Sequence, residues 1–179
     1  GTVIKDSGKL CFVNRKGEIV IQPGDYDAGE MDKFNGLLAL KDNSSDKWGV
    51  FDVSTGKQVV SFKYDSISFA GTDRLVVVKD HVKNLINMST GKSLYSAQTE
   101  ATIEPFNSDT VTWVHTGKDA YTIIDNDGHV LFRDTNNIIE DVKSFNHGFS
   151  SVKSKGKWGV MNAKGEWVVQ PTYEAVNIL

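Results

Sequence analysis

Five carboxylates recur along the chain: Asp27, Asp65, Glu100, Glu140 and Glu174. Three of them directly follow a tyrosine, in Tyr26-Asp27, Tyr64-Asp65 and Tyr173-Glu174. Acids brought to one level of a repeat can hold a cation or a basic segment of a partner. Two of them at a fixed separation in a pocket can act on a glycosidic bond. Like charges held close also raise one another's pKa unless something compensates them. These acids are too evenly placed to look like a tuned catalytic pair. Their regularity fits a structural duty, each accepting hydrogen bonds from backbone amides beside the tyrosine.

The other reactive side chains point to less. His81, His115, His129 and His147 fall at unrelated places and form neither a His-x-His nor a His-Glu-x-x-His pattern, so no metal site is expected of them. Asn126-Asp127-Gly128 lacks the distal glutamate of a calcium loop and reads as a turn. There is no glycine-rich phosphate loop and no Gly-x-Ser-x-Gly elbow. Cys11 is the single cysteine, which excludes an intrachain disulfide and a multi-cysteine zinc site. No cofactor is expected. Trp48 and Trp158 could stack a sugar or a proline, but they recur in step with a repeat, which fits packing at repeat junctions. Trp113, Trp167, Tyr95 and Tyr121 occur once each in their settings and are candidates for a binding patch, Trp113 foremost. Lys9, Lys47, Lys83, Lys118 and Lys157 form a repeated basic position that reads as a solvated strand end.

A net charge of -3 and a pI near 5.8 argue against a nucleic-acid footprint. No apolar run approaches the ~20 residues of a membrane-spanning helix. The opening residues, Gly1-Thr2-Val3-Ile4-Lys5, read as strand and not as a leader, and the natural chain can extend upstream of them. An extracellular or envelope setting is slightly favoured over the cytoplasm.

The elements that position these residues come from repetition. Gly17, Gly56, Gly91, Gly128 and Gly165 are separated by 39, 35, 37 and 37 residues. Each follows an apolar residue and an Asp or Asn: Val13-Asn14, Phe51-Asp52, Ile86-Asn87, Ile124-Asp125 and Met161-Asn162. Asp or Asn at the start of a type I turn bonds the amides ahead of it, and glycine takes the left-handed position that closes the turn. Every such site predicts a hairpin loop between antiparallel strands. The strand after the turn (Ile19-Val20-Ile21, Val59 to Phe62, Leu94-Tyr95, Val130-Leu131-Phe132, Trp167-Val168-Val169) reads as an apolar run buried on both faces. Pro23 and Pro171 should end it. A phenylalanine (Phe34, Phe69, Phe106, Phe145) then leads into another strand, and a fourth short segment is expected at the acid.

One stretch appears twice, as Lys47-Trp48-Gly49-Val50-Phe51-Asp52 and Lys157-Trp158-Gly159-Val160-Met161-Asn162. With its glycine turn, valine run and Tyr-Asp it resembles the WG-repeat (KWG-repeat) family. The likeness extends over the chain as five units, with Leu10-Cys11, Lys83-Asn84 and Tyr121-Thr122 in the Trp-Gly slot of the other three. It implies a β-rich repeat protein of a kind common in bacteria, often surface-associated or fused to other modules, with no defined catalytic site.

The expected fold is all-β. Five antiparallel repeats of ~37 residues (units 1–33, 34–68, 69–105, 106–144 and 145–179) form one domain, as a propeller-like closed ring in preference to an open twisted hairpin array. The N-terminal strand and the residues after Tyr173 would complete one another on closure. The expected function is a non-catalytic binding or interaction module for a protein or glycan, with the bacterial cell envelope as its candidate setting. The alternatives are a glycan-active hydrolase using ring carboxylates and a structural spacer in a longer protein.

Overall fold

The computed structural model describes residues 1–107, 109–116 and 119–179, without the side chain of Asp119. Lys118 of the repeated basic position therefore lies outside the described residues. Every element described is a strand, nineteen in all, and none is a helix long and apolar enough to cross a membrane. The chain divides into two compact units, Gly1–His81 with Asn87–Gly91, and Val82–Ile86 with Lys92–Leu179.

In the first unit, β1 (Thr2–Asp6), β2 (Lys9–Val13) and β3 (Ile19–Gly24) form a three-stranded antiparallel sheet. A four-stranded antiparallel sheet follows, from β4 (Tyr26–Asp32), β5 (Leu37–Asp42), β6 (Lys47–Asp52) and β7 (Gln58–Tyr64) in that order. Then β8 (Ser66–Gly71) pairs with β9 (Arg74–Lys79). In the second unit, β10 (Val82–Asn87) pairs with β11 (Ser93–Gln98). Two four-stranded meanders complete it. One holds β12 (Thr102–Ile103), β13 (Val111–Thr116), β14 (Asp119–Asp125) and β15 (Val130–Arg133), and the other β16 (Asp141–Val142), β17 (Phe149–Ser154), β18 (Lys157–Asn162) and β19 (Trp167–Tyr173).

The short segment at the acid is thus a real strand, and it opens each four-stranded sheet. It pairs with the strand after it, so the sheets begin one strand earlier than units drawn from the phenylalanines. The second strand is the most buried. Leu37, Leu38, Ala39 and Leu40 are buried in succession in β5, as are Val111, Thr112, Trp113 and Val114 in β13. Such runs belong in a strand covered on both faces. The strands after the glycine turns do not match the expectation of burial on both faces. β3, β7 and β19 are sheet edges and expose much of their length, with Ile19 and Val168 among the exposed side chains. Nor do the prolines end these strands. Pro23 and Pro171 lie inside β3 and β19, where the pairing skips between Ile21 and Gly24 and between Val169 and Tyr173. A bulge on an edge strand is where a missing amide hydrogen is tolerated.

The Trp-Gly pair has its explanation in that bulge. The register shifts between Trp48 and Val50, and again between Trp158 and Val160. The neighbouring strand consequently crowds the glycine: a Cβ on Gly49 would stand 2.5 Å from the carbonyl oxygen of Val60, and one on Gly159 would collide with that of Val169. Only glycine admits so close a backbone.

At the turns, the side-chain oxygens of Asn14, Asp52, Asn87, Asp125 and Asn162 each accept backbone amides, as the spacing predicts. Gly17, Gly128 and Gly165 donate to the carbonyl three residues back; Gly56 and Gly91 reach four back. All five have φ between 74° and 84°. Three also touch the preceding edge strand, so that a Cβ on Gly56, Gly128 or Gly165 would strike Val20, Leu94 or Phe132.

Each unit has its own core. Leu10, Phe12, Ile21, Leu38, Leu40 and Phe51 pack together in the first, beside a ring cluster of Tyr26, Phe51 and Phe62. Trp113, Tyr121, Ile123, Ile139, Phe145, Val152 and Met161 form that of the second. Of the recurring phenylalanines, Phe106 and Phe145 are buried, but Phe34 is not. It stands 92% exposed on a turn held by Asp32, whose Oδ1 accepts the amides of Phe34 and Asn35, while Met31 packs against the core in its stead.

Two glycines separate crowding from strain. Gly49→Ala should cost roughly 3 kcal/mol by forcing backbone apart. Gly17→Ala, with open space around the new methyl but φ of 80°, should cost about 1 kcal/mol. Urea unfolding of both variants checks the order; equal losses would contradict the bulge account.

Candidate functional site: an acidic cleft in the second unit

A cavity of polar and aromatic character lies in the second unit. β13 carries Trp113 into the core and His115 to the strand's end. β12 pairs Thr102 with His115, and beyond it the amide of Glu104 bonds the carbonyl of Trp113 at 3.0 Å. This brings Glu104 Oε1 within 3.0 Å of His115 Nε2. The imidazole lies on the Tyr121 ring of β14, centroids 5.3 Å apart and planes 23° apart. The Tyr121 hydroxyl donates to the carbonyl of Glu140 at 3.2 Å, fixing the β14 wall against the start of β16. Trp113 stacks on Phe145 at 5.4 Å, meets Tyr121 edge-on, and donates its indole N–H to Ser150 Oγ at 2.9 Å. The opposite wall is Asp141, Val142, Lys143 and Ser144. The cleft volume is about 420 Å³.

Its electrostatics are lopsided. Glu104 and Asp141 both line it, and no cation pairs with Asp141 among the described residues. The Lys143 ammonium is engaged elsewhere, 5.2 Å over the Trp158 ring and 3.4 Å from both the Val176 carbonyl and Asn177 Oδ1. Burial pushes the Tyr121 phenol up, and the Asp141 charge adds to the shift. His115 Nδ1 is buried without a hydrogen-bond partner. A second cavity, about 460 Å³, adjoins through Asp141 and is lined by Asn137, Ile139, Glu140 and Lys153.

The periodic acids do not occupy one structural position. Asp27 stands opposite Lys41; in the last sheet Asp141, and not Glu140, stands opposite Lys153. Lys41 and Lys153 are equivalent, since each faces a Trp-Gly tryptophan in register. In the sheet between, Thr102 and not Glu100 faces His115. Asp27 lies 3.7 Å from Lys5 and from Lys41. Asp65 pairs with Lys47, whose hydrogen bond holds its carboxyl below the usual range while Asp65 raises the lysine. Glu140 accepts the amide of Gly156 at 3.0 Å, in the next hairpin turn. Glu100 is exposed beside the Thr99 hydroxyl, and Glu174 is exposed. Trp113 lines the cleft but is only 1% exposed, so it forms the floor. Among the lysines, Lys83 donates to the Ala101 carbonyl at 2.5 Å, so this position ties strands together as well as meeting solvent.

Glu104, His115 and Asp141 were not singled out by periodicity. A signal was present: the second strand ends in Lys41, Lys79, His115 and Lys153, and histidine breaks the series once. Elsewhere, Asp125, Asp127 and His129 bring ligand atoms within 4.8 Å of one another at an exposed turn. There Asp125 Oδ2 meets His129 Nδ1 at 3.0 Å, the same cross-turn brace that Asn14 makes with Glu18 and Asn162 with Glu166.

Meanders of four antiparallel strands, repeated along a chain, define a β-repeat protein built of propeller-type modules. The profile of the WG containing repeat matches residues 12–44, 48–80 and 158–177, so the chain carries WG repeats over these segments. No curated protein sequence matches the chain. Among solved structures it is similar to a eukaryotic initiation factor, with a TM-score of 0.66 and 11% identity over 96% of this chain and 52% of that one. It is also similar to KlHsv2 with loop 6CD replaced by a Gly-Ser linker, TM-score 0.56 and 10% identity over 90% and 59%. Both are propeller proteins, and the likeness is one of fold. The chain spans between half and three fifths of their length.

The turn acids make stability depend on pH. Burial pulls the Asp125 carboxyl up, but the His129 amide and ring and the Asp127 amide outweigh it and hold it low. Ser54, through hydroxyl and amide, holds Asp52 low against burial. A carboxyl depressed by folding stabilises above its unfolded pKa, about 4, and that stability is lost as pH falls through the folded value. Urea midpoints measured from pH 7 down to about 2 should decline below about 4, and Asp52→Asn and Asp125→Asn should each make that decline shallower. Variants with an unaltered acid limb would refute the assignment.

Proposed function

We propose that this chain is a non-catalytic interaction module whose partner is a protein. The observation that carries the reading is the cleft of Glu104, His115, Tyr121 and Asp141, where residues departing from the repeat collect on a scaffold of repeated parts. Glycan recognition wants free aromatic faces, and the tryptophans are already engaged. Trp48 lies over Gly29, Trp158 under Lys143, Trp113 in the core, and Trp167 against it. Hydrolysis wants two carboxylates free to act as acid and base. Asp27 and Asp65 are instead paired with lysines, Glu140 with a backbone amide, and in the cleft Glu104 with His115, which leaves Asp141 without a second free carboxylate beside it.

The reading takes the modules as a propeller-like ring in preference to an open array. It is supported by the four-strand meander and the likeness to propeller proteins. Small-angle scattering tests it: a closed, compact chain of this length should give a radius of gyration of about 16 Å, and an open array a distinctly larger one.

Binding is tested with the whole chain on peptide and glycan arrays. Saturable peptide hits and a blank glycan array are expected. Glycan hits with blank peptides would overturn the choice of partner, and blanks on both would favour a structural spacer.

A further inference from the structure

Resting on the protein-binding reading above, we infer that the cleft receives a cationic side chain of the partner, an arginine or lysine entering between Glu104 and Asp141. The repeat itself supplies the reasoning. Where the second strand of a sheet ends beside the Trp-Gly slot, the usual residue is a lysine. Lys41 occupies that place in the first unit, and its ammonium meets Asp27 at 3.7 Å and Asp46 at 3.3 Å. In the β12–β15 sheet the same place holds His115, opposite Thr102 instead of an acid. Imidazole is shorter than a lysine side chain and lies flat on Tyr121. Space that a lysine stem and ammonium would fill is left within the 420 Å³ cavity, and two carboxylates still face it.

One of these acids has a partial answer in His115 Nε2, and the other has none among the described residues. Asp141 is an exposed residue whose Oδ1 accepts only the amide of Val142, at 2.8 Å. Lys153 faces Asp141 across the β16–β17 pair without forming an ion pair with it, and Lys143 is drawn to Trp158 and the Val176 carbonyl. A guanidinium or ammonium from outside would give Asp141 the cation that Lys41 gives Asp27 in the first unit. The floor of Trp113, Tyr121 and Val142 suits the apolar stem of such a side chain.

The test titrates the full chain with Ac-Gly-Arg-Gly-amide and its lysine, glutamate and glutamine counterparts, followed by NMR at the Trp113 indole N–H. Saturable shifts are expected with the arginine and lysine probes only, weakening as salt is raised. Asp141→Asn should weaken binding roughly tenfold or more, the loss of one charged hydrogen-bond partner. His115→Lys puts the repeat's own cation into the cleft and should abolish binding with the fold intact. Should that variant not fold, Asp141→Asn and the salt dependence decide the matter. Equal response to the glutamate or glutamine probe overturns the inference, as does indifference to Asp141→Asn. If peptide arrays still give hits in that event, the protein-binding reading survives; silent probes with blank arrays bring down both.

Discussion

Hydrogen bonds from turn amides to one Asn or Asp oxygen set the register of the five hairpins that close on the repeated glycines. Asn14 Oδ1 takes the amides of Lys16 and Glu18; Asn162 Oδ1 takes those of Lys164 and Glu166. A turn that satisfies its own amides fixes which residues of the two strands stand opposite, and a one-residue slip would turn every side chain to the other face. The bulge at the Trp-Gly slot, the exposure of the edge strand and the burial of the second strand all follow from that register.

The same constraint explains how neighbouring modules are joined within each unit. The turn glycines that close the hairpins also lie against the edge strand before them, at Val20, Leu94 and Phe132. Glycine at those three places answers two demands at once, a left-handed backbone and the absence of a side chain toward the neighbour. Side chains bridge modules as well: Lys47 on β6 holds Asp65 just ahead of β8, and Trp113 on β13 donates to Ser150 on β17.

What could be read from the sequence was what depends on a few adjacent residues. The turns, with Asp or Asn at one end and glycine at the other, were legible because their chemistry is complete within five residues. So was the strand at Leu37 to Leu40. What failed depended on partners far along the chain. Equating Asp27 with Glu140 required knowing which residue faces Lys41 and which faces Lys153. Pro23 looked like a stop because the bulge that accommodates it is made by β2 as much as by β3. Phe34 looked like Phe145, but its turn is a residue shorter, and the core position fell to Met31. The cleft escaped notice because its acids, Glu104 and Asp141, come from the loop beyond one strand and from the next sheet.

The two lengths of turn have a wider meaning. Gly17 closes on the third residue back and Gly56 on the fourth, yet the strands on either side shift register at corresponding places, beside Leu10 and Phe12 and beside Trp48 and Val50. The array therefore counts its period in backbone ladders and absorbs differences in residue number at the hairpin tips. A protein built so can gain or lose residues at those tips while its inner strands stay in phase. Its modules can diverge in outline, and in what they touch, without renegotiating the packing that holds each to the next.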